Sequence, residues 1–339
     1  MRRRAFVRSL IGGSLAIPFG AEAGCDSGPK GSAATASVSC MTSYGGYGRD
    51  AYLYVAKEKG YFEEAGFAVD IRPGAGTASN LKLVVDGTAT FSPADLSGCL
   101  VAAGGAAKVT GFTAVAGIHQ RTLAGIITMQ DSGISLPEDL EGKTLADVPG
   151  SVLRTLFPTY ARLAGFDDTK VTWADTTTAT VLGDLVAGKF DGIGQFVVGV
   201  PTVEALAKGR KARALPFSDY LNDLYGNVLL TSTRYARDNP ERVRKFTAAL
   251  LKGLGDAIDH PEQAGEILRK YVPGADPAAA AAETTLMAPY VRSAAAGPSV
   301  GALEPVRVAR SIAILQASGQ IDPGLRPEQV ISLDLLPQS

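Results

Sequence analysis

Residues 38–74 read VSCMTSYGGYGRDAYLYVAKEKGYFEEAGFAVDIRPG. The apolar run 38–42 predicts a strand, and 43–49 a loop rich in glycine and tyrosine. From about 50 to 65, Leu53, Val55, Ala56, Tyr61 and Phe62 recur at helical spacing, and Gly66 supplies a stop. Residues 67–71 predict a second strand, closed by Pro73 and Gly74. The pattern continues outward. Thr77 or Ser79 can cap a helix carrying Leu81, Leu83, Val84 and Val85, a strand follows at 88–92, Asp95 opens another helix, and 109–118 is strand-like. Strands alternating with helices of this length predict a parallel sheet covered on both faces.

The rhythm restarts at 143. Strands are expected at 143–148, 171–174, 191–196 and 212–217, with helices at 151–164, 178–187 and near 200–208. Two such α/β units predict two lobes. After a strand-like run at 227–232 the chain turns helical: Asn239 and Pro240 start a helix with Val243, Phe246, Leu250, Leu254 and Ile258 on one face. Further helices start at Pro261 and at Asp276-Pro277, and a last one carries Val306, Val308, Ile312 and Leu315. The first lobe is the natural surface for them.

At 339 residues, 46% hydrophobic and with a net charge of −1, the chain has material for two domains and no electrostatic footprint for nucleic acid. The N-terminus resembles an export signal: RRAFVR at 3–8 is similar to the twin-arginine pattern, and the apolar stretch 10–19 is too short to span a bilayer. AEA at 21–23 is an ordinary cleavage site, and AEAGC at 21–25 resembles a lipoprotein box, with Glu22 out of pattern and Cys25 as the lipidated residue. The Ser/Ala/Gly-rich stretch that follows reads as a tether. The expected division is a signal peptide over 1–24, a tether over 25–37, lobe 1 over 38–121 and 219–339, and lobe 2 over 122–218. Cys40 and Cys99 read as buried thiols, with pairing in an oxidising compartment as the alternative.

Motifs for catalysis fail. GKT at 142–144 lacks the earlier glycine and the following helix of a phosphate loop, and neither a nucleophile elbow nor a zinc-protease motif occurs. In open α/β sheets, ligands bind beyond the carboxyl ends of the strands, so those loops supply the candidate contacts. Tyr44, Tyr47, Arg49 and Asp50 lie in the first, Thr77 and Ser79 in the second, Ser92 and Asp95 in the third, Ser151 and Arg154 in the fourth, Gln195 and Phe196 in the fifth, and Gln120 between the units. Tyrosines offer flat area with a polar tip, and glycines let backbone approach a ligand. Trp173 reads as core.

Five blocks carry a resemblance. YVAKEKGYFEEAGF at 54–67, VDGTATF at 85–91, DLEGKT at 139–144, LVAGKFDG at 185–192, and NPE at 239–241 with HPEQA at 260–264 are similar to blocks of one family. That family is the ABC-transporter substrate-binding proteins of the thiamine-pyrimidine, aliphatic-sulfonate and nitrate group. The resemblance implies a type II periplasmic-binding-protein fold, with hinge strands near 118–129 and 217–232 and a ligand cleft between the lobes. It implies no cofactor, a monomer that delivers a small molecule to an ABC permease, and an exported, membrane-anchored location. The first loop departs from the pyrimidine branch, which carries a Trp-Thr-Pro-like start and an Asn-His pair. The cysteine cluster of the related pyrimidine synthase is absent. Tyr44 and Tyr47 can stack a heterocycle such as a thiamine-type pyrimidine or a flavin-like ring, with Asp50 or Asp95 accepting its N–H groups. Arg49 and Arg154 can instead hold a sulfonate, nitrate or taurine-type oxyanion. An enzyme of pyrimidine metabolism on the same fold would need a catalytic His or Cys in the cleft, with His119 as the one plausible histidine.

Overall fold

The computed structural model describes residues 35–292 and 300–335. The expected signal peptide, Cys25 and most of the tether lie outside them. In chain order the first half contains β1 (Ala36–Met41), β2 (Tyr44–Gly45), α1 (Ala51–Glu58), α2 (Tyr61–Glu64), β3 (Phe67–Arg72), β4 (Gly74–Ala75), α3 (Thr77–Val85), β5 (Phe91–Asp95), α4 (Leu96–Gly104) and β6 (Phe112–Gly117). Then come β7 (Ala124–Met129), β8 (Thr144–Asp147), α5 (Val152–Ala164), β9 (Thr172–Asp175), α6 (Val181–Val186), β10 (Gly192–Phe196), α7 (Val200–Leu206) and β11 (Ala212–Pro216). The chain closes with β12 (Asn227–Ser232), α8 (Thr233–Asp238), α9 (Pro240–Asp259), α10 (Pro261–Tyr271), α11 (Pro277–Val291) and α12 (Pro305–Ala317).

Two five-stranded sheets result, in the orders β3-β1-β5-β12-β6 and β11-β7-β10-β8-β9. Both are mixed, where all-parallel sheets are expected from the sequence: β1 pairs in parallel with β3 and β5, β8 with β9 and β10, and the remaining pairs are antiparallel. The antiparallel member of each sheet is the strand that arrives from the other one, β7 after β6 and β12 after β11. A chain that passes directly from one sheet to the other has no helix for a parallel crossover. Two further differences are local. Gly60, at φ +76°, breaks the expected long helix into α1 and α2. The strand pairing of Ala36 with Phe67 begins inside the stretch expected to be tether.

The C-terminal helices cover the first sheet, as their apolar faces require. Val243, Phe246, Leu250, Leu254 and Ile258 of α9 are all buried. The Phe246 ring stacks on Phe91 of β5 at 3.8 Å and on Phe62 of α2 at 4.9 Å, and meets Phe67 of β3 edge-on. Truncating such a side chain to alanine costs about 3–5 kcal/mol. Val306, expected on the inner face of α12, is 69% exposed, while Val308, Ile312 and Leu315 are buried. Cys40 and Cys99 are buried and unpaired, and burial pushes both thiols up. Trp173 is only half-buried, meeting Phe157 edge-on at 5.1 Å.

Candidate functional site

The loop after β1 is held from three sides. The Asp50 carboxylate accepts the Ser43 N–H and the Ser43 hydroxyl. Residues Tyr44 and Gly45 pair with Ala75 and Gly74, joining this loop to the one after β3. Beneath it lies α11, which Gly48 approaches so closely that a Cβ there would sit 2.2 Å from the Ala280 carbonyl oxygen. Thr284 of α11 donates to the Gly48 carbonyl at 3.0 Å, and Glu283 accepts the Arg49 N–H at 3.2 Å. Glu283 is wholly buried and also accepts the hydroxyl of Thr202 on α7. One carboxylate thus ties the loop to a helix that follows a strand of the other sheet.

This clamp fixes the direction of Arg49. Its side chain is 2% exposed, and the guanidinium lies 4.5 Å from the Tyr47 ring, 5.4 Å from Phe196 and 5.7 Å from Tyr44. No described residue accepts a hydrogen bond from the guanidinium. Asn80 sets the second loop. Its amide donates to the carbonyls of Thr42, Ser43 and Pro93 and accepts from the Ala75 N–H, so one side chain joins three strand ends.

The second sheet supplies the facing wall. Asp147 ends β8, and Ser151 caps α5 through the Leu153 N–H at 3.2 Å. The Asp147 Oδ1 accepts the Val148 N–H at 2.6 Å, and Oδ2 has no partner among the described residues. Burial pushes this carboxyl up to about 7, against the Ser151 hydroxyl, the Val148 N–H and the charge of Arg154. At the end of β10, Gln195 Oε1 accepts the Phe196 N–H at 2.8 Å.

Between these walls lies a cavity of about 170 Å³, lined by Tyr44, Arg49, residues 75–79, Ala94 and Asn227 on one side and by residues 147–153, Val181 and residues 194–196 on the other. For scale, a dry cavity of ~150 Å³ holds a benzene ring. Of the expected contacts, the structure brings Tyr44, Arg49, Thr77, Ser79, Ser151, Gln195 and Phe196 together here. The others stand elsewhere, each for a physical reason. Tyr47 faces a second cavity with α7, α10 and α11. Asp50 is spent on Ser43, and Ser92 is buried with its hydroxyl donating to the Pro93 carbonyl. Asp95 caps α4 through the N–H groups of Ser97 and Gly98. Gln120 donates to the Ala302 carbonyl at 2.8 Å. Arg154 pairs with Asp175 at 2.5 Å and lies over Trp173. Thr77, expected as a cap, accepts the Asp95 N–H instead.

Sequence reasoning passed over Asp147 and Asn227. Both sit at strand ends, which is the signal that marks them. His119, the one histidine an enzyme reading could use, is wholly buried outside the cavity lining. Its Nδ1 accepts the Asn227 N–H at 3.3 Å, and burial together with the nearby Arg49 charge drops it to about 3. An imidazole so held stays neutral and does not exchange protons near neutral pH.

Comparison with known proteins agrees with this architecture. The chain is 27% identical over 163 residues to the riboflavin-binding protein RibY of Chloroflexus aurantiacus, covering 47% of this chain and 44% of that protein. It is 24% identical over 219 residues to the formylaminopyrimidine-binding protein of Halalkalibacterium halodurans, covering 64% and 65%. Both matches span less than two thirds of those relatives. The alkanesulfonate-binding protein SsuA of Xanthomonas axonopodis pv. citri, bound to MOPS, superposes with a TM-score of 0.68 at 18% identity, covering 91% of this chain and all of that one. At that identity the likeness is one of fold, a two-lobed α/β architecture. The family model described as NMT1/THI5 like matches residues 50–264, most of the folded chain, and this protein belongs to that family.

Proposed function

We propose that this chain is an exported solute-binding protein that captures a small flat heterocycle between its two lobes and hands it unchanged to an ABC importer. The lobes are residues 38–121 with 219–339, and residues 122–218. Cys25 carries the lipid anchor, and the protein works as a monomer beside its permease. The observation that carries the reading is the composition of the cavity: the rings of Tyr44 and Phe196 stand beside the Arg49 guanidinium and the amides of Gln195 and Asn227, drawn from both sheets. Aromatic faces bind a flat ring, and a few placed polar groups set its orientation. The relatives that bind riboflavin and formylaminopyrimidine support a ring-shaped ligand.

A second reading, an oxyanion, is favoured by Arg49 and by the free N–H groups at the start of α5, both of which suit negative charge. Titration calorimetry of the purified protein with formylaminopyrimidine, riboflavin, taurine and nitrate separates the two. We expect saturable 1:1 binding of a heterocycle, recovered chemically intact. Chemical conversion of the bound compound overturns the binding-protein reading in favour of an enzyme, and exclusive binding of taurine or nitrate overturns the heterocycle.

A further inference from the structure

We propose that Asp147 is the residue that selects the ligand, requiring an N–H donor on the edge that meets β8 and α5 and excluding oxyanions. The inference rests on the heterocycle reading above and deepens it.

Asp147 is 4% exposed, and it forms no ion pair among the described residues. One oxygen takes the Val148 N–H, the Ser151 hydroxyl beside the carboxyl favours its charged form, and Oδ2 makes no hydrogen bond among the described residues. The neighbouring cation, Arg154, is engaged by Asp175 and does not bond to Asp147. An aliphatic side chain here would spare the desolvation of a carboxylate, so the stability of the lobe does not account for an acid at this position. The opposite strand makes room for it: a Cβ on Gly194 would lie 2.3 Å from Oδ2, so only glycine leaves the carboxyl where it is. Rotation about the Asp147 terminal torsion, which is broad for this residue type, turns either oxygen toward the cavity that the side chain lines.

The chemistry follows from what such a group can accept. A carboxylate offers acceptors only, and a ligand N–H satisfies the orphan oxygen with a charge-assisted bond. A sulfonate or nitrate brings a second negative charge and no proton, and two like charges in a dry cavity repel strongly. On the facing wall Arg49 offers donors only. The two walls therefore fit a ring with a donor on one edge and an acceptor on the other, as in an amide or amidine edge of a heterocycle.

The test compares wild type, Asp147→Asn and Asp147→Glu in the full-length mature protein at pH 8, by calorimetry with formylaminopyrimidine, riboflavin and ethanesulfonate. Both heterocycles carry N–H groups. We expect at least one to bind the wild type, Asp147→Asn to weaken it by about 10- to 100-fold, and Asp147→Glu to keep the preference for heterocycle over sulfonate. Circular dichroism and melting confirm that each variant is folded. If Asp147→Asn binds the heterocycle within twofold of wild type, the selector is overturned and the heterocycle reading stands. If the wild type binds ethanesulfonate in preference to both heterocycles, or binds none of the three, the heterocycle reading falls and the selector falls with it.

Discussion

Asp50 holds Ser43 by both of its hydrogen-bond donors: Oδ1 accepts the Ser43 backbone N–H at 2.8 Å, and Oδ2 accepts the Ser43 hydroxyl at 2.6 Å. The two residues bracket the loop that carries Tyr44, Tyr47 and Arg49, so this pair sets the loop's span. Replacing Asp50 with alanine removes both bonds inside a buried site. The expected loss of stability is about 2–4 kcal/mol, read by urea unfolding, with a weaker ligand response than in wild type. Asp50→Asn, which retains one acceptor, is expected to fall between.

Gly194 faces Asp147 across adjacent strands. A methyl group at this position meets Oδ2 at 2.3 Å, and the strand backbone on either side cannot move away without breaking its pairing with β7 and β8. Gly194→Ala is expected to cost about 1–3 kcal/mol and to reduce ligand affinity by displacing the carboxyl. An unchanged melting temperature and unchanged affinity would show that the strand yields.

Burial raises the Asp147 carboxyl from its ordinary value of 3.8 to about 7. The sign follows from linkage. Between these values the folded chain holds a proton that the unfolded chain has released, so this group makes stability fall as pH rises from 4 to 7. Above pH 7 the ionised form carries the full penalty. In ligand-free protein, Asp147→Asn is expected to raise the melting temperature at pH 8 by several degrees, each kcal/mol being worth about 2–4 °C. The gain should shrink at pH 5. Melting curves at the two values check both the direction and the crossover.

Thr202 donates to Glu283 from the side of the second sheet, while Glu283 also holds the Arg49 N–H. Thr202→Val keeps the shape and deletes the donor, leaving a buried carboxylate oxygen without a partner. We expect a loss of about 1–3 kcal/mol and a larger radius of gyration by small-angle scattering in ligand-free protein. Ligand affinity should drop although no residue lining the cavity between the two sheets has changed. Scattering profiles that superpose on wild type would rule out a part for this bond in holding the lobes together.

The sequence disclosed local structure well and long-range partners poorly, and the reason is visible in particular residues. The helix expected over 151–164 and the five apolar positions of α9 are decided within a few residues of themselves, and both are found as expected. Gly60 was masked by an apolar pattern that continues across it. Asp95 and Asp147 look alike in sequence, each an acid where a strand ends. Each leaves its Oδ2 without a partner among the described residues. Asp95 Oδ1 takes two N–H groups of the following helix and stands outside the cavity lining, whereas Asp147 Oδ1 takes one N–H and the side chain lines the cavity, facing a glycine from β10. That difference depends on a strand nearly fifty positions away. Gln120 and Arg154 are likewise claimed by Ala302 and Asp175, partners that no local pattern announces.

The cavity wall is complete in sequence by Asn227, yet the loop that bears Arg49 rests on Ala280, Glu283 and Thr284. A ribosome that has released every wall residue has still not delivered their support. The nascent protein therefore gains its grip late, when α11 emerges and seats the loop. A premature stop ahead of residue 277 would yield a product with all its contact residues in place and one of the three supports of the Arg49 loop missing.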